Sequence, residues 1–263
     1  MIPQSYITEW GNSVPWQTNE QVEQDLAICR ALVEIFKDPF LAESLAFRGG
    51  TALHKLYLQP QSRYSEDIDL VQMRSEPIKE TIIHLQNALS FLGKSNVLQK
   101  KGNNTISYRF ESEFAPVQNL KLKIETNCRE HFTVMDWEKK SFSVKSSWFE
   151  GECNLTTYKL EELLGTKLRA LYQRRKGRDL FDLWKAFTNT RVNPVPIVKC
   201  YKEYMKFSLD KPIPTKKEFL MNIEKKKTDK EFLGDTVALL RPGEKYNQEE
   251  AFKIVVNQLI QLM

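Results

Sequence analysis

The sequence predicts a mixed α/β half followed by a helical half, with the change near residue 155. Three observations predict it. Helical and period-two patterns alternate along the first half, a Gly49-Gly50 pair interrupts a strand-like run, and from Lys159 onward the period is helical. Within the first half, Thr18 with Gln21 has the spacing of a capping box. Val22, Leu26, Cys29, Val33 and Phe36 then make an apolar stripe over Thr18 to Lys37. Leu45-Ala46-Phe47-Arg48 reads as a short buried strand, broken by Gly49-Gly50, and Thr51 to Leu58 as a short helix. Ile68, Leu70 and Val71 indicate a strand from about Ser65, and Ile82, Leu85, Leu89 and Leu92 a helix from Ile78 to Leu92. Strict alternation over Thr105 to Glu111 and Leu120 to Glu125 predicts two-faced strands, with another around Phe142 and Val144.

In the second half, Leu160 to Arg174 and Asp179 to Phe187 read as helices and Glu249 to Leu262 as a closing one. Pro194, Pro196, Pro212 and Pro214 punctuate the stretch between, and Lys216 to Lys230 is lysine-rich, a pattern usual for a solvated surface. The expected division is 1–155 for the α/β domain and 156–263 for the helical one.

The chain's 263 residues can bury a sizeable core, and 41% hydrophobic with 28% charged is ordinary for a globular protein. A formal charge of +5 tolerates a polyanionic partner without requiring one. Cys29, Cys128, Cys153 and Cys200 are scattered, so neither a disulfide framework nor a zinc site is expected. No signal peptide and no apolar run of membrane-spanning length is seen, so the expectation is a cytoplasmic protein without a membrane partner.

The chemistry concentrates at Asp67 and Asp69. Two residues apart on a strand, their carboxylates share a face while Ile68 and Leu70 point to the core. Like charges so close call for a cation, and magnesium takes one or two protein carboxylates plus substrate phosphates. Gly49-Gly50-Thr51, between strand and helix, suits a triphosphate: glycine lets the backbone approach, a helix N-terminus offers amides, and Thr51 adds a hydroxyl. Arg63 can hold phosphate or pair with an acidic neighbour, and Ser65 can orient the Asp67 loop. Glu125, on a polar strand face beside Lys121 and Lys123, is the candidate third carboxylate, or else an exposed glutamate paired with those lysines.

On a helical wheel Lys167 falls inside the apolar arc of Leu160, Leu163, Leu164, Leu168 and Leu171, with Arg174 at its edge. A buried cation needs an anion, so both residues are expected to line an interior cleft, with a triphosphate or the metal-site carboxylates as counterions. The alternative is a lysine that snorkels to solvent. Asp179 can serve the helix dipole, and Asp182 can pair with Lys167 or Arg174. The basic run Arg174-Arg175-Lys176-Gly177-Arg178 can contact phosphates of nucleotide or RNA, through Arg175, Lys176 and Arg178 in particular.

Phe47-Arg48-Gly49-Gly50-Thr51-Ala52-Leu53, Arg63-Tyr64-Ser65-Glu66-Asp67-Ile68-Asp69-Leu70, Lys167-Leu168-Arg169-Ala170, and Arg174 with Arg178-Asp179-Leu180-Phe181-Asp182-Leu183 follow one another in that order. In these blocks the chain resembles the AbiEii/MenT family of nucleotidyltransferase toxins, of type IV toxin–antitoxin and phage-defence systems. The resemblance implies a polymerase-β-like nucleotidyltransferase fold with a mixed sheet and a helical C-terminal half. It implies a metal-dependent enzyme, with magnesium or manganese on Asp67 and Asp69. Glu125 fits a third ligand by position only. Arg48, Gly49, Gly50, Thr51, Ser65, Lys167 and Arg174 make the implied nucleotide-binding set, with Lys167 and Asp182 completing the active site. The implied substrate is a nucleoside triphosphate, the acceptor the 3′ end of tRNA, and the partner an AbiEi-like antitoxin. Transfer to a protein hydroxyl or a small molecule, or a non-catalytic RNA- or antitoxin-binding module, are the competing readings.

Overall fold

The computed structural model describes residues 2–208 and 212–263. They divide into two compact units. The first comprises the residues up to Leu56, Tyr64–Phe132 and Trp137–Thr157. The second comprises Tyr57–Arg63, Thr133–Asp136 and Tyr158–Met263.

The first unit is built on a seven-stranded mixed sheet. Helices α1 (Gln4–Gly11), α2 (Asn19–Lys37) and α3 (Pro39–Ser44) precede β1 (Leu45–Arg48), which runs directly into α4 (Gly49–Leu56). Then come β2 (Asp67–Gln72), α5 (Ile78–Ala88), β3 (Ser95–Lys100), β4 (Asn103–Glu111), β5 (Asn119–Asn127), β6 (Trp137–Lys145) and β7 (Glu150–Tyr158). The strand order is β3-β4-β5-β2-β1-β7-β6. β1 is antiparallel to β2 and parallel to β7, and β2 is parallel to β5. Period two does the sorting: Ile68, Leu70, Ile106, Tyr108, Leu122 and Ile124 are buried on one face, which leaves the polar alternates on the other. Thr18 caps α2 by accepting from the Gln21 amide. The full reciprocal capping box forms elsewhere, at Thr215 and Glu218.

Three local expectations are adjusted. The Gly49-Gly50 pair does not separate strand from helix but is itself the first turn of α4. β2 starts at Asp67 rather than Ser65, and the helix from Ile78 stops at Ala88, followed by a tight turn over Ser90–Leu92.

In the second unit, α6 (Leu160–Gln173) buries Leu163, Leu164, Leu168 and Leu171, and α7 (Gly177–Asn189) buries Leu180, Leu183 and Trp184. α8 (Pro194–Ser208), α9 (Lys216–Lys227), α10 (Lys230–Gly234) and α11 (Gln248–Gln258) complete it. Two short segments join this unit rather than the sheet. Tyr57 donates to the Tyr158 carbonyl at 2.6 Å, and Arg63 bridges to Leu240. Glu162, fully buried, accepts from the Val134 and Met135 amides and from the Thr133 and Tyr204 hydroxyls, all within 2.9 Å. The second unit thus takes in Tyr57–Arg63 and Thr133–Asp136 as well as the residues from Tyr158 onward.

One buried carboxyl in α2 makes the stability depend on pH. Glu23 accepts from the Glu113 amide at 3.1 Å through Oε2, while its buried Oε1 has no protein hydrogen bond. Burial pushes its pKa up to about 7, from 4.5. The folded state thus binds a proton more tightly than the unfolded chain. This contribution is fully present below pH 4.5 and is lost as the pH rises through 7. Glu23→Gln should flatten that slope and raise stability at pH 8 by on the order of 1–3 kcal/mol. Urea titrations of both proteins at pH 5 and pH 8 check this, and equal slopes would count against it.

Candidate active site

In the first unit, strand register assembles a polar row across the sheet. Asp69 is the pair partner of Glu125 on β5 and of Arg48 on β1, and Glu125 in turn of Thr105 on β4. Asp67 stands two residues along, paired with Lys123. Because directly paired residues share a face, Asp67, Asp69 and Glu125 all project from the same side of the sheet.

Asp67 is held under electrostatic pressure. Burial pushes its carboxyl up to about 6, Lys123 pulls it down, and Asp69, Glu66 and Glu125 raise it. The Lys123 ammonium is 3.7 Å away, too far for a hydrogen bond, and Asp67 Oδ1 is buried with no protein hydrogen bond. A buried carboxylate oxygen without a donor, among three other acidic groups, is a site that gains from a divalent cation. Among the described residues no group of three or more His, Cys, Asp or Glu side chains is gathered to hold a metal. Asp67 and Asp69 are nevertheless a sufficient protein contribution for magnesium, whose other ligands are waters and phosphates, so the residues fit the ion.

The glycine turn is fitted to this row. Gly49 has φ +80°, and a Cβ there would lie 1.9 Å from Asp69 Oδ2. Any side chain at position 49 must displace the carboxylate as well as strain the backbone. Gly49→Ala is expected to cost more than about 1 kcal/mol of stability and to lower activity more than thermal stability predicts. A thermal melt compared with a nucleotide-transfer assay checks both parts. Thr51 is buried, and its hydroxyl donates to the Asp67 carbonyl and stands 2.8 Å from Ser65 Oγ. Thr51 and Ser65 thus tie the first turn of α4 to the start of β2. Arg48 Nη1 meets Glu130 Oε2 at 2.6 Å, a partner that the sequence patterns do not single out.

In the second unit Lys167, Asp182 and Arg174 are joined with Arg63 and Asp179 in one network of ion pairs. Lys167 Nζ lies 2.8 Å from Asp182 Oδ2 and 3.2 Å from Asp179 Oδ1. Arg63 grips Asp182 with two bonds of 2.6 and 2.7 Å, and Arg174 grips Asp179 with bonds of 2.6 and 2.8 Å. The buried cation predicted at Lys167 is present, and the anions that meet it are Asp179 and Asp182. Lys167 does not snorkel. Arg174, in contrast, has a side chain 52% exposed and is not interior. Asp179 is completely buried, so its role exceeds that of a dipole partner. Arg175 pairs with Asp229, and Lys176 and Arg178 pair with Asp235. Glu130 for Arg48, Arg63 for Asp182, Asp229 for Arg175 and Asp235 for Arg178 lie far along the chain from their partners, where local patterns carry no signal for them.

A family model described as the nucleotidyl transferase AbiEii toxin of type IV toxin–antitoxin systems matches residues 30–256. Among curated proteins none matches the chain. Among solved structures, the nucleotidyltransferase toxin MenT4 from Mycobacterium tuberculosis is similar with a TM-score of 0.73 at 14% identity, over 100% of this chain and 91% of that one. A candidate nucleotidyltransferase from H. pylori is similar with a TM-score of 0.56 at 18% identity, over 94% of this chain and 95% of that one. At these identities the likeness speaks for the fold, an α/β nucleotidyltransferase architecture.

Proposed function

The chain belongs to the AbiEii nucleotidyl transferase toxin family, and on that premise we propose that it transfers a nucleoside monophosphate from a nucleoside triphosphate to the 3′ end of tRNA. Such transfer blocks aminoacylation and so stops translation and growth. The observation that supports this reading is the shared face of Asp67, Asp69 and Glu125 beside a glycine turn in which Gly49 has no room for a side chain.

In this reading Asp67 and Asp69 hold magnesium or manganese, and Glu125, on the same face of the neighbouring strand, adds negative charge beside them. When bound, the ion neutralises triphosphate charge and favours the attacking hydroxylate. The amides of Gly49 and Gly50 at the start of α4 receive phosphate oxygens. Thr51 and Ser65 act by fixing that turn against the start of β2, and Arg48, anchored by Glu130, adds positive charge at the end of the polar row. Within the second unit the Lys167 ammonium is held in one position by two carboxylates, those of Asp179 and Asp182, and Arg175, Lys176 and Arg178 are the residues proposed to contact the acceptor. The acceptor hydroxyl gives up its proton to solvent and attacks the α-phosphorus; the new P–O bond forms as the bond to the α–β bridging oxygen breaks, and pyrophosphate departs with that bond's electrons.

The partner in this reading is an AbiEi-like antitoxin, and the place of action is the cytoplasm. No helix among the described residues is long and apolar enough to cross a membrane. Incubation with each labelled triphosphate, magnesium and total tRNA is expected to label RNA. Label on protein or on a small molecule instead reassigns the acceptor. No transfer at all, with triphosphate binding intact, overturns the enzyme reading in favour of a non-catalytic module.

A further inference from the structure

The basic run after α6 is not bare. Arg175 Nε lies 2.5 Å from Asp229 Oδ2, Lys176 Nζ 3.3 Å from Asp235 Oδ1, and Arg178 Nε 3.1 Å from Asp235 Oδ2. Asp235 also accepts from the Arg178 amide at 3.2 Å. The two acids flank α10 and are held by a fixed element. Phe232 of that helix is buried, and a Cβ on Gly177 would come within 2.2 Å of the Phe232 carbonyl oxygen, so α10 and the start of α7 are in close contact. Asp229 also caps α10, accepting from the Glu231 and Phe232 amides. The hydrogen bond from Arg175 holds the Asp229 carboxyl below its ordinary range. At Asp235 burial opposes ionisation, but the bonds from Arg178 outweigh it and again lower the value. Both acids are therefore charged at neutral pH, while the side chains of Arg175 and Lys176 keep 65% and 43% of their surface open to solvent.

We propose that Asp229 and Asp235 form a built-in counterion mask over Arg175, Lys176 and Arg178, which holds down indiscriminate binding of phosphodiester chains to that run. The inference rests on the reading that the acceptor is RNA. Three cations beside two carboxylates present a net charge of one, where the bare run would present three. An RNA phosphate reaches these side chains against the repulsion of both acids and in competition with them. Weak general binding of this kind leaves acceptor choice to contacts made elsewhere along the RNA.

The test is binding of a labelled single-stranded RNA of random sequence to Asp229→Asn/Asp235→Asn, followed by fluorescence anisotropy over a salt series without triphosphate. Asparagine keeps the cap of α10 and the acceptor for the Arg178 amide. The double variant should bind at least about tenfold more tightly at low salt, with a plot of log affinity against log salt steeper by roughly one. Asp229→Ser, which is also cap-competent, should show a smaller gain of the same sign. Adding Arg175→Ala and Arg178→Ala to the double variant should abolish the gain. Unchanged or weaker binding by both neutralised variants overturns the mask. If those variants still label tRNA from triphosphate, the acceptor reading stands without it; loss of tRNA labelling by the unaltered protein would instead bring down the reading on which the mask rests.

Discussion

Asp69→Asn is expected to lower nucleotide transfer by about 10²–10³-fold or more while leaving the protein folded. Asp69 occupies the centre of the polar row, paired in register with Glu125 on one side and Arg48 on the other. Asparagine keeps the shape that packs against Gly49 and removes only the charge. Asp69 is one of the groups that push the Asp67 carboxyl up, so removing its charge relieves that repulsion. The loss of transfer should then far exceed any change in melting temperature, which a merely structural aspartate does not produce. Single-turnover transfer with labelled triphosphate, beside thermal melts with chelator and with magnesium, reads both quantities. Transfer at the unaltered rate would remove Asp69 from the active site.

How much of this was legible in the sequence depends on the range of the interaction. The shared face of Asp67 and Asp69 follows from strand period alone, and the polar placement of Glu125 from the alternation of its own strand. That Glu125 is the register partner of Asp69 is a fact of parallel pairing between distant strands, which no local pattern contains. Lys167 shows the same limit from the other side. Its helical position demands an anion, and Asp182 is one of those the spacing offers, but the second, Asp179, is bound by a geometry that only the packing of α6 against α7 sets.

The missed elements have equally physical causes. β3 is an edge strand with mostly exposed residues, so no alternation marks it, and β7 is exposed in its first part and continuously buried in its last. Pro194 and Pro196 read as punctuation yet occupy the first turn of α8, where proline lacks only an amide that has no helical partner. In α9 the lysines obscure Phe219 and Ile223, four residues apart and both buried.

Asp182→Ala is expected to destabilise the protein by about 3–5 kcal/mol, because it deprives Arg63 of its two-pronged partner. The Arg63 side chain is 1% exposed and Asp182 is 0% exposed, and the two hydrogen bonds between them offset the guanidinium's loss of water. Breaking such a pair from one side leaves a buried charge undercompensated, whereas replacing both partners by apolar groups of similar volume removes the guanidinium's demand and leaves Lys167 with Asp179 as its anion. Arg63→Met/Asp182→Leu should therefore recover part of the loss, and urea denaturation of the two singles and the double gives the coupling directly. Equal losses in the single and double variants would mean that the pair is not the source of the destabilisation. The double variant also separates two roles of one residue. It restores the packing around position 63 but not the carboxylate 2.8 Å from Lys167 Nζ. A stable double variant with full transfer activity would make Asp182 a purely structural anchor for Arg63. A stable but inactive one would mean that the carboxylate acts through the position of the Lys167 ammonium, and Asp182→Asn, which keeps a hydrogen-bond acceptor there, should then retain part of the activity that leucine loses.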